Sequence, residues 1–297
     1  MLKKSKKSTK PKSVDSLLMT NPAASIGIFD SGFGGLTVMK AIRCLLPHEN
    51  ILYFGDTARL PYGTKSRETI IRYSLENASF LIQQGIKVLV VACHTACSYA
   101  LEELQQKFDI PIIGVTTPMI EQVTHISPRG KIAILGTRGT IASGAYQNAI
   151  QKRLPSAELS PIACQLLVPL VEEGLIDHPI TAMALFEYLH PLKNKEIDTI
   201  ILACTHFPLL LEQIQQTVGS HIRVIDPAQF CAAALRTILQ EKNLLNPFSE
   251  STDQFFVSDD PEKFRHLGKA FLGHPLPKVS MNLSQEISQS SFRQFSL

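Results

Sequence analysis

The chain has 297 residues, of which 44% are hydrophobic and 19% are charged, so disorder over the whole length is excluded. This length suits one large or two medium domains, and six cysteines are too few for a disulfide scaffold. The formal net charge of +3 arises in residues 1–12, which contain six lysines and no acidic residue. The rest of the chain has 23 basic and 26 acidic residues, so a basic, nucleic-acid-binding body is not expected.

Residues 1–24 are predicted to form a basic disordered tail, because the closely spaced lysines repel one another and cannot be buried. No apolar stretch of about 7–15 residues follows the lysines, so we do not expect a signal peptide. No run of the chain approaches the roughly 20 apolar residues of a membrane span. We therefore expect a cytoplasmic protein without a membrane partner, and contact of the tail with nucleic acid is the less favoured alternative.

Short apolar runs alternate with helical patterns along the rest of the chain. In chain order, the predicted elements are strands 26–29 and 51–54, a helix over 68–84 followed by Gly85, strands 88–92, 110–115 and 131–135, a helix that Asp177 caps and that ends before Pro191, and strands 199–203 and 222–225. Several of the strands are apolar at nearly every position, as is typical of strands covered on both faces. This alternation predicts an α/β fold with parallel sheets.

An internal repeat divides this pattern into two related parts. Residues 88–115 read VLVVACHTACSYALEELQQKFDIPIIGV, and residues 199–226 read TIILACTHFPLLLEQIQQTVGSHIRVID. Each copy has an apolar strand, an Ala-Cys pair, a polar turn, a helix and a second strand. A weaker pair is IGIFDSGFGG from residue 26 and IAILGTRGT from residue 132. We therefore predict two pseudo-symmetric parallel-sheet α/β lobes, with the active site between them at the carboxyl ends of their strands.

Cys93 and Cys204 occupy matching positions in the repeat, each at the end of a strand and the start of a helix. A helix N-terminus lowers the pKa of a thiol, and although one buried cysteine is usually a packing residue, two matched ones favour function. Opposed acid and base groups fit the duplication best, because inverting a carbon centre requires a base on one face and an acid on the other. Two alternatives remain open: a zinc site with His94 and His206, and a nucleophilic cysteine with His206 as its base.

A glycine-rich turn, DSGFGG, follows the first predicted strand and begins at Asp30. Its glycines allow backbone N–H groups to approach a carboxylate or a phosphate. The turn is not a dinucleotide-binding fingerprint, because Thr37 occupies the position of the third glycine. Asp56 and Asp226 also follow strands, and for Asp226 we predict a helix N-cap role.

Seven segments carry a resemblance to a known family, and they read IGIFDSGFGGLTV, YFGDTARLPYGTKS, VVACHTA, GTRGTIASGAYQ, LLVPLVEEG, LACTHFPLL and FVSDDPEKFRHLG. In this order they resemble the glutamate racemases of the aspartate/glutamate racemase superfamily. The resemblance implies an isomerase that needs no cofactor and no metal and that interconverts L- and D-glutamate. It also implies a cytoplasmic enzyme that supplies D-glutamate for bacterial peptidoglycan, and it leaves a homodimer open.

The resemblance further implies roles for individual residues. Cys93 and Cys204 match the two catalytic cysteines of the family, one of which removes the α-proton as a thiolate while the other protonates the opposite face as a thiol. Asp30 matches an acid that assists the first cysteine, and Glu172 and His206 match groups that assist the second. The residues implied to hold the substrate are Asp30, Ser31, Tyr62, Gly63, His94, Thr95, Thr137, Thr140, Thr205 and His206.

The second lobe is implied to be inserted into the first. The predicted first lobe comprises residues 25–117 and 228–283, the second comprises residues 118–227, and residues 284–297 form a loose C-terminal tail. Two positions depart from the family, which usually has Asn where this chain has His94 and Pro where it has Gln165. Imidazole is bulkier than an amide and titrates near neutral pH, so His94 leaves open a racemase of aspartate or of another acidic substrate.

Overall fold

The computed structural model describes residues 21–282, so most of the predicted N-terminal tail and all of the predicted C-terminal tail lie outside the described residues. In chain order, the strands are β1 (Ile26–Asp30), β2 (Ile51–Gly55), β3 (Val88–Val91), β4 (Ile112–Gly114), β5 (Lys131–Gly136), β6 (Glu158–Ala163), β7 (Thr199–Ala203), β8 (Arg223–Ile225), β9 (Asp253–Val257) and β10 (Val279–Met281). The helices are α1 (Leu36–Leu45), α2 (Arg67–Gln83), α3 (His94–Lys107), α4 (Thr117–Glu121), α5 (Val123–Ile126), α6 (Arg138–Ala142), α7 (Ala145–Arg153), α8 (Leu167–Glu172), α9 (Pro179–Leu189), α10 (Leu211–Val218), α11 (Ala228–Glu241) and α12 (Pro261–Leu272).

In residues 21–282 the strands form two sheets, and neighbouring strands within each sheet are all parallel. The larger sheet has the order β10-β9-β2-β1-β3-β4, and the smaller has the order β6-β5-β7-β8. The run β2-β1-β3-β4 repeats in the smaller sheet, because β5 lies between β6 and β7 as β1 lies between β2 and β3. The predicted α/β fold with two pseudo-symmetric parallel sheets is therefore confirmed, and β3 and β7 are equivalent strands.

The smaller sheet is inserted into the larger one along the chain. Strands β5 to β8 lie between β4 and β9, and both β4 and β9 belong to the larger sheet. The residue limits given above for the two lobes stay a prediction. No helix in residues 21–282 is both long enough and apolar enough to cross a bilayer.

Burial explains why the central strands form where they do. Strands β1, β2, β3 and β7 are buried at every position, as expected of strands covered by helices on both faces. A large hydrophobic cluster extends from the first sheet into the second, and a smaller cluster packs Met119, Val123, Ile132 and Tyr146 together. The ends of these strands, where the predicted functional residues lie, are thus held by a packed interior.

The helix predicted over 68–84 is α2, and its ends follow from local hydrogen bonds and backbone conformation. The Ser66 hydroxyl accepts a hydrogen bond from the N–H of Thr69 at 3.3 Å, and Gly85 follows the helix with φ of +78°. The later helix, α9, begins one residue after the position predicted. Its N-cap is His178, whose ring accepts a hydrogen bond from the N–H of Ile180, so the prediction that Asp177 caps this helix is wrong.

All seven predicted strands are present, with ends that differ by at most two residues. Among the strands that the structure describes, three were not predicted: β6, β9 and β10. Strand β6 contains Pro161 and alternates in burial only weakly, because it lies at the edge of its sheet, where proline is tolerated. Strand β10 is a three-residue edge strand.

Candidate active site

A cavity lies where the carboxyl ends of the strands of the two sheets meet. Cys93 follows β3 by two residues, and Cys204 directly follows β7. The cavity is lined by Ser31, Gly32, Leu60, Pro61, Tyr62, Gly63, Cys93, His94, Thr95, Thr137, Val168, Glu172, Cys204, Thr205 and His206. The two matched cysteines therefore line one cavity, together with most of the residues predicted to act with them.

Cys93 is the N-cap of α3 and is almost fully buried. Its sulfur accepts a hydrogen bond from the N–H of Ala96 at 3.5 Å and lies 3.6 Å from the hydroxyl of Ser31. Burial and the charge of Asp30 nevertheless raise the pKa of Cys93 to about 12. The expected lowering of this pKa is therefore wrong, because the donors at the start of the helix are outweighed by the loss of water and by a nearby carboxylate.

Asp30 ends β1 and is fully buried behind the glycine-rich turn, outside the cavity lining. Its carboxylate accepts hydrogen bonds from the N–H of Gly32 at 3.0 Å and from the Thr205 hydroxyl at 3.4 Å. Burial raises the pKa of Asp30, and the positive charge of His206 and the backbone donors oppose this change without reversing it. Asp30 thus links the first sheet to the residues that follow Cys204.

Cys204, His206 and Glu172 form a chain of polar contacts on the other side of the cavity. The sulfur of Cys204 lies 3.9 Å from Nδ1 of His206, and Nε2 of His206 lies 2.9 Å from Oε1 of Glu172. Burial lowers the pKa of His206, but Cys204 and Glu172 more than offset this, so its pKa is raised to about 10. His206 is therefore an imidazolium at neutral pH, flanked by a sulfur and a carboxylate.

Two glycines allow the two sheets to approach closely at the cavity. A Cβ added at Gly34 would lie 2.2 Å from the hydroxyl oxygen of Thr205, and one added at Gly63 would lie 2.5 Å from Cβ of Thr137. The hydroxyl of Thr37 also donates to the carbonyl of Thr205 at 3.1 Å. The cavity wall therefore depends on backbone approaches that a side chain would prevent.

Three threonine hydroxyls cluster where α3 meets the second sheet. The Thr95 hydroxyl lies 2.9 Å from that of Thr137 and 3.0 Å from that of Thr140, and the last two are 3.0 Å apart. Thr95 and Thr137 line the cavity, whereas Thr140 lies behind them. The cluster can present hydroxyl donors to an anionic ligand.

Tyr62 lines the cavity, but its hydroxyl is bound to residues outside the cavity lining. It donates to Asp56 and accepts a hydrogen bond from the Asn77 side chain at 2.9 Å. Asp56 in turn accepts from Arg59 and from Ser258. Tyr62 can therefore meet a ligand through its ring or its backbone, whereas its hydroxyl stabilises the loop that carries Gly63.

His94, which departs from the resembling family, also lines the cavity. Its Nδ1 lies 2.7 Å from the hydroxyl of Tyr146. Burial lowers the pKa of His94 to about 3, so the ring is neutral at physiological pH. Its predicted role at the substrate therefore involves a neutral imidazole.

Other residues of the cavity wall were missed in the sequence. Leu60, Pro61 and Val168 lie within segments quoted for the resemblance, and only their position beside Tyr62 or before Glu172 could have indicated them. Gln165 binds the backbone N–H of Arg138 at 3.2 Å, which agrees with a structural role. The prediction that Asp226 is the N-cap of α11 is wrong, because the N-cap is Pro227. The Asp226 carboxylate, one residue earlier, accepts a hydrogen bond from the N–H of Ala228 at 2.9 Å.

The zinc alternative requires Cys93, His94, Cys204 and His206 to converge. Within residues 21–282, no group of three or more His, Cys, Asp or Glu side chains is arranged to hold a metal ion. His94 is bound to Tyr146, and His206 is bound to Cys204 and Glu172. This donor set does not fit a tetrahedral zinc site.

The fold and site agree with what comparison with known proteins shows. The sequence pattern of Asp/Glu/hydantoin racemases matches residues 26–235, and the chain belongs to this family. It is 47% identical to the glutamate racemase of Geobacter metallireducens over 259 residues, which are 87% of this chain and 96% of that protein. Two solved structures resemble it closely: a glutamate racemase isoform from Bacillus anthracis, with a TM-score of 0.84 at 36% identity over 89% of this chain and 98% of that one, and the D-glutamate complex of the Francisella tularensis glutamate racemase, with a TM-score of 0.82 at 36% identity over 88% and 97%.

Proposed function

We propose that the protein interconverts L- and D-glutamate by moving the α-proton between two cysteines, without a cofactor. The observation that carries this proposal is that Cys93 and Cys204 follow equivalent strands of a duplicated fold and line one cavity. The similarity to glutamate racemases supports the substrate. The arrangement of the cavity supports the chemistry.

The Cys93 side of the cavity supplies an acid. With a pKa of about 12, Cys93 is a thiol at neutral pH and can give a proton to a carbanion. Asp30, whose charge acts on this sulfur, is the group that assists Cys93. In the reverse direction, the ammonium group of a bound amino acid would favour the thiolate at Cys93, because opposite charges attract strongly in a site with little water.

The Cys204 side supplies a base. The imidazolium of His206 attracts negative charge on the neighbouring sulfur, and Glu172 holds that imidazolium in its charged form. Cys204 therefore removes the α-proton from the enantiomer whose α-hydrogen faces it, and Cys93 protonates the opposite face. The roles exchange when the other enantiomer binds.

The electron pair released from the α-carbon moves into the adjacent carboxylate, which must be stabilised by fixed donors. The hydroxyls of Ser31, Thr95, Thr137 and Thr205 lie at the cavity or beside it. Cavity-lining backbone N–H groups, such as that of Gly63, add further donors. These groups are the proposed substrate-binding set, together with Tyr62, His94, Thr140 and His206, and Asp30 acts from behind the turn.

The proposed setting follows from the same assignment. The enzyme would act in the cytoplasm as the source of D-glutamate for bacterial peptidoglycan. Its binding partner is a small dicarboxylic amino acid. A homodimer is compatible with this function.

Deuterium exchange tests the proposal. Purified protein is incubated in D₂O with L-glutamate and, separately, with D-glutamate, and Cα deuteration and optical rotation are followed; a double variant with both Cys93 and Cys204 changed to Ala is the control. We expect Cα deuteration and loss of optical rotation from either enantiomer, and neither in the control. Absence of exchange in both enantiomers would overturn the proposal, and faster turnover of L-aspartate than of L-glutamate would replace the substrate.

A further inference from the structure

A buried tyrosine lies behind the one histidine that directly follows a cavity cysteine. Nδ1 of His94 lies 2.7 Å from the hydroxyl of Tyr146, and the two rings are stacked, with centroids 6.0 Å apart and planes inclined by 18°. His94 is 3% exposed and Tyr146 is 1% exposed. Of the two, His94 alone lines the cavity. Among the described residues, the hydrogen bond that joins Tyr146 to the cavity lining is the one to His94.

Both rings are neutral near physiological pH. Burial lowers the pKa of His94 to about 3, so its imidazole carries one proton, and burial raises the pKa of Tyr146, so its hydroxyl keeps its proton. A neutral imidazole has one nitrogen that donates and one that accepts. The hydrogen bond to Tyr146 decides which nitrogen is which.

Only one arrangement satisfies the tyrosine. Within residues 21–282, the Tyr146 hydroxyl has no hydrogen-bond partner other than His94. If Nδ1 carried the proton, it would donate to the phenol oxygen and leave the buried phenol proton without an acceptor, which is unfavourable. If the hydroxyl donates to Nδ1, both groups are satisfied and the imidazole proton lies on Nε2.

The second nitrogen is free to bind a ligand. Nε2 of His94 makes no hydrogen bond in the described part of the chain. It is not one of the fully enclosed side-chain atoms that lack a partner, so it keeps some accessible surface. We infer that Tyr146 is a positioning residue, which holds His94 in the tautomer with its proton on Nε2 and so makes His94 a fixed, uncharged donor to a substrate carboxylate. This inference rests on the proposed function, because the carboxylate belongs to the proposed substrate.

The tautomer can be observed without measuring activity. In protein labelled with ¹⁵N-histidine, the His94 signals are identified by their loss in His94→Asn, and nitrogen chemical shifts distinguish a bare ring nitrogen from a protonated one. We expect a bare Nδ1 and a protonated Nε2 in the unchanged protein, and a mixture of tautomers in Tyr146→Phe. A protonated Nδ1 in the unchanged protein would overturn the inference, and so would the same tautomer in Tyr146→Phe.

A double-variant cycle tests the role in turnover. Tyr146→Phe should lower kcat/KM for glutamate on the order of 2- to 13-fold, as expected when one net hydrogen bond is lost. Asn at position 94 offers an amide donor that needs no tautomer, so Tyr146→Phe should change kcat/KM by less than about twofold in the His94→Asn background. Equal losses in both backgrounds would show a merely structural role and overturn the inference.

A control at a half-buried tyrosine separates the loss of any tyrosine hydroxyl from the loss of this one. Tyr99 lies on α3 with His94 but outside the cavity lining, so Tyr99→Phe should leave both the tautomer and kcat/KM unchanged. The two proposals fail separately. If the unchanged protein did not racemise glutamate, the proposed function would fall while the NMR result stood; if it racemised glutamate with the other tautomer, only this inference would fall.

Discussion

Glu172 should set the charge of His206, and Glu172→Gln tests this with little change in shape. The variant keeps an oxygen acceptor at the position 2.9 Å from Nε2 and removes the negative charge. The pKa of His206 is about 10 against an ordinary 6.5, a difference that corresponds to about 5 kcal/mol in favour of the imidazolium. Burial opposes this preference, so Cys204 and Glu172 supply it together. Of the total, we assign Glu172 about 1.5–3 kcal/mol, as is typical of a hydrogen bond to a charged group, and expect the pKa of His206 to fall by about one to two units.

The same change should make the stability loss depend on pH. Because the pKa of His206 is raised in the folded protein, its contribution to stability is complete below about pH 6.5 and is lost as the pH rises through 10. Glu172→Gln should therefore lower the free energy of unfolding by about 1.5–3 kcal/mol at about pH 6 and by much less above pH 10. Urea unfolding at the two pH values measures this difference, and NMR titration of His206 measures its pKa directly.

Glu173→Gln is the matched control, because Glu173 is the next residue and is exposed. It removes the same charge from the same helix end without touching His206, so it should change neither the titration nor the pH dependence of stability. The reasoning is refuted if the His206 midpoint is the same in Glu172→Gln as in the unchanged protein. It is also refuted if Glu172→Gln destabilises the protein equally at both pH values.

Further predictions concern the two cysteines and the close approach of the lobes. Cys93→Ala and Cys204→Ala should each lower kcat by at least about 10²–10⁴-fold, while each keeps deuterium exchange with the enantiomer that faces the surviving thiol; full turnover in either variant would reject the two-base mechanism. Gly34→Ala places a Cβ 2.2 Å from the Thr205 hydroxyl, so kcat/KM measured by polarimetry should fall by about tenfold or more. Gly85→Ala is the contrasting variant: it has open space but φ of +78°, so it should lose about 1 kcal/mol of stability and keep its activity.

The central strands were predictable because their burial leaves a continuous apolar run in the sequence. Strand β7 matches its predicted limits, and β1 and β2 differ from theirs by one residue. The missed strands lack that pattern, since β6 has one exposed face and Pro161 at a sheet edge. Strand β9 pairs with β2, which precedes it by some 200 residues of chain, and no local pattern records such a pairing.

The residues of the site likewise divide into those that the sequence could predict and those that it could not. Duplication placed Cys93 and Cys204 at equivalent strand ends, and the structure brings them to one cavity. The electrostatics of Cys93 could not be predicted in this way, because its raised pKa depends on burial and on Asp30, which lies 63 residues away in the chain. Tyr146 was invisible in the sequence for the same reason, since its contact with His94 exists only once α3 and α7 have packed together.

The unequal surroundings of the two thiols constrain the kinetics of a racemase. One sulfur is influenced by the carboxylate of Asp30, and the other lies beside the imidazolium of His206. Mirror-image substrates have equal free energies in water, so the equilibrium constant is one, and the Haldane relation makes kcat/KM identical in the two directions at every pH. The asymmetry of the assisting groups can therefore make kcat and KM differ between the two directions, but not their ratio. The enantiomer with the lower KM must have a proportionately lower kcat.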